Sequence, residues 1–213
     1  MTRSATELVE AVRLELAPGN DDNLLAPRIA AGEVSLEVLA ALAAEEQLIV
    51  TSDWRSFLTL AAQSDNLDGR AFFTGLAQGE GLVLPLLADF AEACGPLEDY
   101  QPKPGCQAYP AYLAWLALNG QPLDALLAIL VNFTAWGGYC ATIAAALREH
   151  YGFSAQACAF FDFFATPVPE MEEQALAALQ AGLDAGWEPD AAIGYGRLLQ
   201  GYELMFWNTL AAS

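Results

Sequence analysis

Positive charge is what this sequence most lacks. Its 213 residues hold one lysine, Lys103, seven arginines and one histidine, His150, against 27 Asp and Glu, for a formal net charge of -19. A nucleic-acid surface needs clustered Lys and Arg to neutralise phosphates. No such cluster occurs, so no direct nucleic-acid contact is expected, and attraction to an anionic membrane fails for the same reason. The single histidine excludes the Glu-x-x-His pairs of a di-iron bundle and leaves no second imidazole for a Ser-His-Asp system. His150 closes an apolar stretch beside Tyr151-Gly152, where a cation suits a helix C-terminus. Neither metal, haem nor other cofactor is expected. The four cysteines, Cys94, Cys106, Cys140 and Cys158, show no CxxC spacing, so they read as small buried hydrophobes and free thiols of a reducing cytoplasm. Met1 to Glu7 lacks an apolar h-region, so no secretory signal is expected and the localisation reads as cytoplasmic.

Strand signals are equally scarce. Runs of β-branched residues are short, while Ala, Leu, Glu and Gln dominate, which favours helices. Gly and Pro punctuation predicts a helix near Thr6–Leu16, a short helical approach over Asp21–Ala31, and a long helix from an N-cap at Ser35 to about Ser64. A further helical region covers Asp68 to about Cys94, interrupted by Gly79-Glu80-Gly81 and Pro85. A loop over Gly95–Gly105 precedes a helix over Gln107–Leu118, with Pro110 as a kink or first-turn residue. A central helix starts at Pro122 and ends at Gly152, followed by Ser154–Ala165, Pro169–Ala185 and Pro189–Ala211. Short connections between such helices imply one all-α domain over residues 1–213. With 55% hydrophobic and 16% charged residues, large buried faces and a homo-oligomer interface are expected.

Ala125 to Leu147 contains no charged residue, long enough to span a bilayer. It also contains Asn132, Thr134, Gly137, Gly138, Tyr139 and Thr142, and its flanks, Asp124 and Arg148-Glu149, carry no positive cluster. A helix apolar all round is what the centre of a helical protein requires, so a buried central helix is expected and no membrane span.

Chemistry then rests on carboxylates. Glu45-Glu46 read as solvated acids. Asp53 stands beside Trp54 and Phe57, and Glu203 among Tyr202, Phe206 and Trp207. A carboxylate enclosed by aromatics can act as general acid or base, or hydrogen-bond a basic heterocycle.

Five segments, in order, resemble the TenA/thiaminase-II family of the haem-oxygenase-like all-α superfamily. Ser52-Asp53-Trp54 is similar to the family's Gln-Asp-Tyr-like segment, and Tyr109-Pro110-Ala111-Tyr112 to its Tyr-x-x-Tyr helix. Val131 to Tyr139 resembles a Leu-Pro-Cys segment with a tyrosine four residues after the cysteine, read with Ala135 at the cysteine and Tyr139 at the tyrosine. Phe160 to Phe164 resembles a Trp-x-x-x-Tyr segment, and Glu203-Leu204-Met205-Phe206-Trp207 the terminal Glu-x-x-Phe-Trp. The resemblance covers the chain from about Val34 to its end. It implies a haem-oxygenase-like bundle whose deep pocket binds thiamin or an aminopyrimidine derived from it. Asp53 would hold the pyrimidine edge, Tyr109, Tyr112, Ala135, Tyr139 and Phe164 would line the pocket, and Glu203 would move protons. A methyl at position 135 removes covalent attack, and Cys140, five residues on, lies about 140° off that face of the helix. The resemblance then implies either a cysteine-independent aminopyrimidine hydrolase of thiamin salvage or a non-catalytic ligand sensor or interaction module. Some family members are named as transcriptional activators; the net charge of -19 makes any such role indirect. A haem- or quinone-dependent oxidase of the same superfamily is a third reading, and the scarcity of histidine opposes its haem version. Asp53, Tyr109, Tyr139 and Glu203 are expected to share one cavity, and Glu203 to have a raised pKa unless an arginine, Arg55 first, reaches it.

Overall fold

The computed structural model describes residues 4–19 and 22–213. Its helices are α1 (Ala5–Leu16), α2 (Leu25–Ala30), α3 (Leu36–Gln63), α4 (Leu67–Cys94), α5 (Pro104–Asn119), α6 (Pro122–His150), α7 (Ala155–Ala165), α8 (Pro169–Asp184) and α9 (Asp190–Ala211). No strand occurs among the described residues. The expected start of the second helix at Asp21 lies outside the described residues.

Local chemistry sets most boundaries. Ser4 and Glu7 form a reciprocal capping box at α1. Ser35, Asn66 and Ser154 cap α3, α4 and α7 by accepting from Val38, Gly69 and Ala157 N–H groups. Pro104, Pro122 and Pro169 open α5, α6 and α8, where their missing N–H costs nothing. At the turn after α2, Gly32 has φ +70°, and a Cβ there would stand 2.9 Å from the Cβ of His150. Only glycine lets this turn lie against the end of α6.

Two expected breaks do not form. Helix α4 runs unbroken through Gly79-Glu80-Gly81 and Pro85. Tertiary packing overrides the local cost of these residues: Gly81 lies against the Trp54 ring and Gly79 against Phe163, where a Cβ would be 3.6 and 3.7 Å from the nearest ring carbons. Helix α5 begins three residues before Gln107 and passes through Pro110, whose ring faces the buried interior.

Helix α6 packs against every other helix. That explains its charge-free sequence. Both α4 and α6 are long and apolar enough to cross a membrane, and in the bundle each instead supplies apolar residues to the core. The core has two parts. One joins the start of α3, the end of α4, the second half of α6, α7 and the end of α9. The other joins α1, the end of α3, the start of α4, the first half of α6, α8 and the start of α9. Tyr109 packs against both, and the polar groups described next lie where the two meet.

Candidate functional site

On α3, Glu46, Ile49, Val50, Asp53 and Phe57 recur at helical spacing and face one cavity. The same cavity receives Glu80 from α4, Tyr109 from α5, Asn132, Phe133 and Trp136 from α6, Phe164 from α7, and Glu203 and Phe206 from α9. Its volume is ≈ 40 Å³, which is room for a single small ring or a few waters.

Four acids thus surround an aromatic cavity that no basic residue lines among the described residues. Glu203 is buried on α9. Its Oε1 accepts Trp207 Nε1–H at 3.1 Å, and its Oε2 accepts Asn132 Nδ2–H in a short hydrogen bond. The Glu-x-x-Phe-Trp pattern therefore has a physical meaning: the tryptophan one turn on donates back to the carboxylate, and Phe206 forms wall. Burial lifts Glu203 to about 7, against the opposing effect of those two hydrogen bonds. Glu46 is raised well above the ordinary range by burial and by the charges of Asp53, Glu203 and Glu45. Asp53 is raised by burial, and Glu80 by burial and the charges of Asp53 and Glu46. Burial and the same acids also raise Tyr109. Glu46 Oε1, Asp53 Oδ1 and Glu80 Oε2 have no hydrogen-bond partner. Arg55, exposed on α3, makes no ion pair with them.

Of the residues singled out from sequence, Asp53, Tyr109, Phe164 and Glu203 line this cavity. Ala135 and Tyr139 do not. They line a second cavity on another face of α6, and Tyr139 meets Trp207, the donor to Glu203, in a T-shaped contact at 5.6 Å. The α6 residue that meets Glu203 is Asn132, and four residues on, Trp136 lines the cavity. Asn132 and Trp136, four residues apart on α6, thus face this cavity, whereas Ala135 and Tyr139, three residues further on, face the other. Tyr112 lines neither cavity. Its ring stacks on Trp115 at 5.8 Å and meets Tyr202 at 5.1 Å.

Two acids expected to be solvated are buried. Glu45 accepts Tyr100 O–H at 2.5 Å, Lys103 N–H at 2.6 Å and Gln107 Nε2–H, which locks the Gly95–Pro104 segment onto α3. Glu46 lies two turns before Asp53, and that spacing was its one visible signal. Glu80 was hidden by its flanking glycines. All four cysteines are buried, and none lines this cavity. Among the described residues no group of three His, Cys, Asp or Glu is arranged to hold a metal ion.

The model of the TENA/THI-4/PQQC family matches residues 25–210. The chain belongs to this family. A TenA homologue from Pseudomonas syringae pv. tomato superposes with a TM-score of 0.76 at 10% identity, covering 100% of this chain and 97% of that one. A TenA family transcription regulator from Silicibacter sp. gives 0.74 at 15% identity, covering 100% and 98%. A domain from Shewanella denitrificans described as having a heme oxygenase-like fold gives 0.66 at 12%, covering 97% and 88%. These likenesses establish the all-α, haem-oxygenase-like fold. No curated protein matches the sequence.

Proposed function

We propose that this TenA-family chain binds a thiamin-related aminopyrimidine, or a similarly flat basic heterocycle, in the acidic cavity. The observation that carries this reading is the set of unpaired buried oxygens on Glu46, Asp53 and Glu80. A buried polar atom without a partner is costly. A ring bearing an amino group and basic nitrogens supplies N–H donors to those oxygens and positive charge to four acids. Its faces suit Trp136, Phe164 and Phe206. The cavity volume favours one ring over intact thiamin.

In this reading Asp53 fixes the amino edge, and Glu203, poised near neutrality, transfers protons as general base to water and general acid to a leaving amine. Cysteine-independent hydrolysis is the only hydrolytic route that the lining offers, since it holds no thiol. That same lack favours the alternative of a non-catalytic ligand sensor. A cytoplasmic homo-oligomer is part of the proposal: Tyr195, Leu198, Tyr202 and Met205 recur along one face of α9 beside Trp115 and Leu118 of α5, and Leu198, Met205, Trp115 and Leu118 are exposed. Such a stripe suits a second copy.

Calorimetry with aminomethyl-pyrimidine and with thiamin tests the reading. Aminomethyl-pyrimidine should bind, and Asp53→Asn should weaken it by about tenfold or more, 1.4 kcal/mol. Failure of both ligands to bind would refute it. Turnover by the unmodified chain then separates hydrolase from sensor.

A further inference from the structure

Glu45 and Glu46 are neighbours in sequence with opposite surroundings. Glu45 accepts from Tyr100 O–H, Lys103 N–H and Gln107 Nε2–H, and so ties down the segment before α5. Glu46 lines the acidic cavity, is 2% exposed, and its Oε1 accepts from no donor. Holding an amino edge at Asp53 and moving a proton at Glu203 leave Glu46 without a task.

Its position suggests one. Seven residues, two turns of α3, separate Glu46 from Asp53, so both carboxyls leave the same face of the helix. At 1.5 Å per residue their Cα atoms stand about 10 Å apart, a gap that two carboxyl side chains and two neighbouring ligand nitrogens can close. From α9, Glu203 also approaches, and the charges of Asp53 and Glu203 both act on Glu46. Each oxygen of Glu203 already accepts one donor, from Trp207 or from Asn132. Beside Glu203, the oxygen still free for a ligand N–H is therefore Glu46 Oε1. The other titratable groups that interact with Glu46 are Glu45 on its own helix, Glu80 on α4, Tyr109 on α5 and Cys140 on α6. No cation is among them. A carboxylate buried without a counter-charge is costly, and the empty cavity favours the neutral carboxyl of Glu46. Among the described residues no three acids are arranged around one ion, so Glu46 addresses a group of its own rather than a metal shared with Asp53 and Glu80.

We propose that Glu46 is a specificity-determining residue of the acidic cavity, which takes the ammonium of an aminomethyl arm while Asp53 holds the amino group on the adjacent ring carbon. This rests on the aminopyrimidine reading of that cavity. The arm then lies next to Glu203, where a leaving amine has to be. An ammonium brings a full charge and N–H donors to the carboxylate, a hydroxymethyl arm brings one neutral donor, and a methyl arm brings neither. As the ammonium docks, Glu46 gives its carboxyl proton to the solvent and becomes the anionic half of a buried ion pair.

Calorimetry on the full chain compares three aminopyrimidines that differ only in the arm: aminomethyl, hydroxymethyl and methyl. The aminomethyl compound should bind about tenfold or more tighter than the methyl compound, with the hydroxymethyl compound between them. Its heat should vary with the ionisation enthalpy of the buffer, in the sense of proton release, more than that of the methyl compound. Glu46→Gln, an isostere of the neutral acid, should keep its helicity by circular dichroism, yet bring the aminomethyl and methyl compounds to within about threefold of each other and lose the extra proton release. Asp53→Asn should weaken all three compounds and keep their order. A methyl compound that binds as tightly as the aminomethyl one, or an arm preference that survives Glu46→Gln, overturns the role of Glu46 and leaves the aminopyrimidine reading standing. Binding of none of the three refutes that reading itself, and this role with it.

Discussion

Replacing Glu203 by glutamine isolates one buried acid and gives the acidic cavity its sharpest test. Burial lifts Glu203 from the ordinary 4.5 to about 7. The folded protein therefore holds this proton more tightly than the unfolded chain does. A raised value contributes stability that is complete below the unfolded value and lost as pH rises through the folded one. A shift of this size corresponds to about 3 kcal/mol, and most of it, ~2–3 kcal/mol, falls between about pH 5 and about pH 8. Glutamine cannot titrate, so that loss disappears. It also offers one acceptor oxygen where both Trp207 and Asn132 donate to the carboxylate, which strands a donor at a cost of ~1–3 kcal/mol. Glu203→Gln should be the less stable protein near pH 5 and draw level with the native one near pH 8. The Glu203 charge also raises Glu46, so its removal flattens the curve further. Urea unfolding followed by circular dichroism across this range measures both proteins. Parallel stability curves would refute the claim that a buried Glu203 titrates near neutrality.

Three other outcomes follow from the same geometry. Trp207→Phe keeps the ring but removes the N–H that lowers Glu203, so the Glu203 carboxyl resonance should titrate at a higher pH by NMR; an unchanged midpoint would dissociate the tryptophan from the acid. Asn132→Cys places a thiol beside Glu203, while Ala135→Cys places one on the second cavity; on treatment with methyl methanethiosulfonate, which transfers its methylthio group to a thiolate and releases methanesulfinate, only the first should lose aminomethyl-pyrimidine binding, and the reverse result would place the ligand against Ala135 instead. If that face joins two copies, Trp115→Glu, on the exposed aromatic face of α5 and α9, should lower the sedimenting mass without changing helicity, and an unchanged mass would refute this face as an oligomer interface.

Helix type was legible in the sequence because caps, prolines and composition agree at nearly every boundary. Two of the exceptions share one cause. Glycines at positions 79 and 81 read as breaks, yet they are where neighbouring rings close onto α4. Only the tertiary neighbour shows which of these two meanings a glycine carries. At the site, Asp53 and Glu203 were visible because aromatics flank them in sequence. Glu46 and Glu80 are flanked by Glu45, Gln47 and glycines, and only the crossing of α3, α4 and α9 brings them to the same space. The cavity-facing side of α6 was beyond reach for another reason. In a helix buried on most sides no polar face marks which residues turn to the cavity. The hydrogen bond from Asn132 to Glu203 shows that Asn132 faces α9.

Helix α6 packs against all of its neighbours, three of which, α7, α8 and α9, lie later in the chain. During synthesis the charge-free stretch 125–147 leaves the ribosome before those partners exist. Until they arrive, the most apolar surface of the protein faces water. Exposed apolar surface on unfinished chains drives aggregation, so a chain that stops near residue 150 is expected to be more aggregation-prone than the finished bundle. Conditions that slow translation beyond that point, or chains truncated there, should go to inclusion bodies although the complete chain folds.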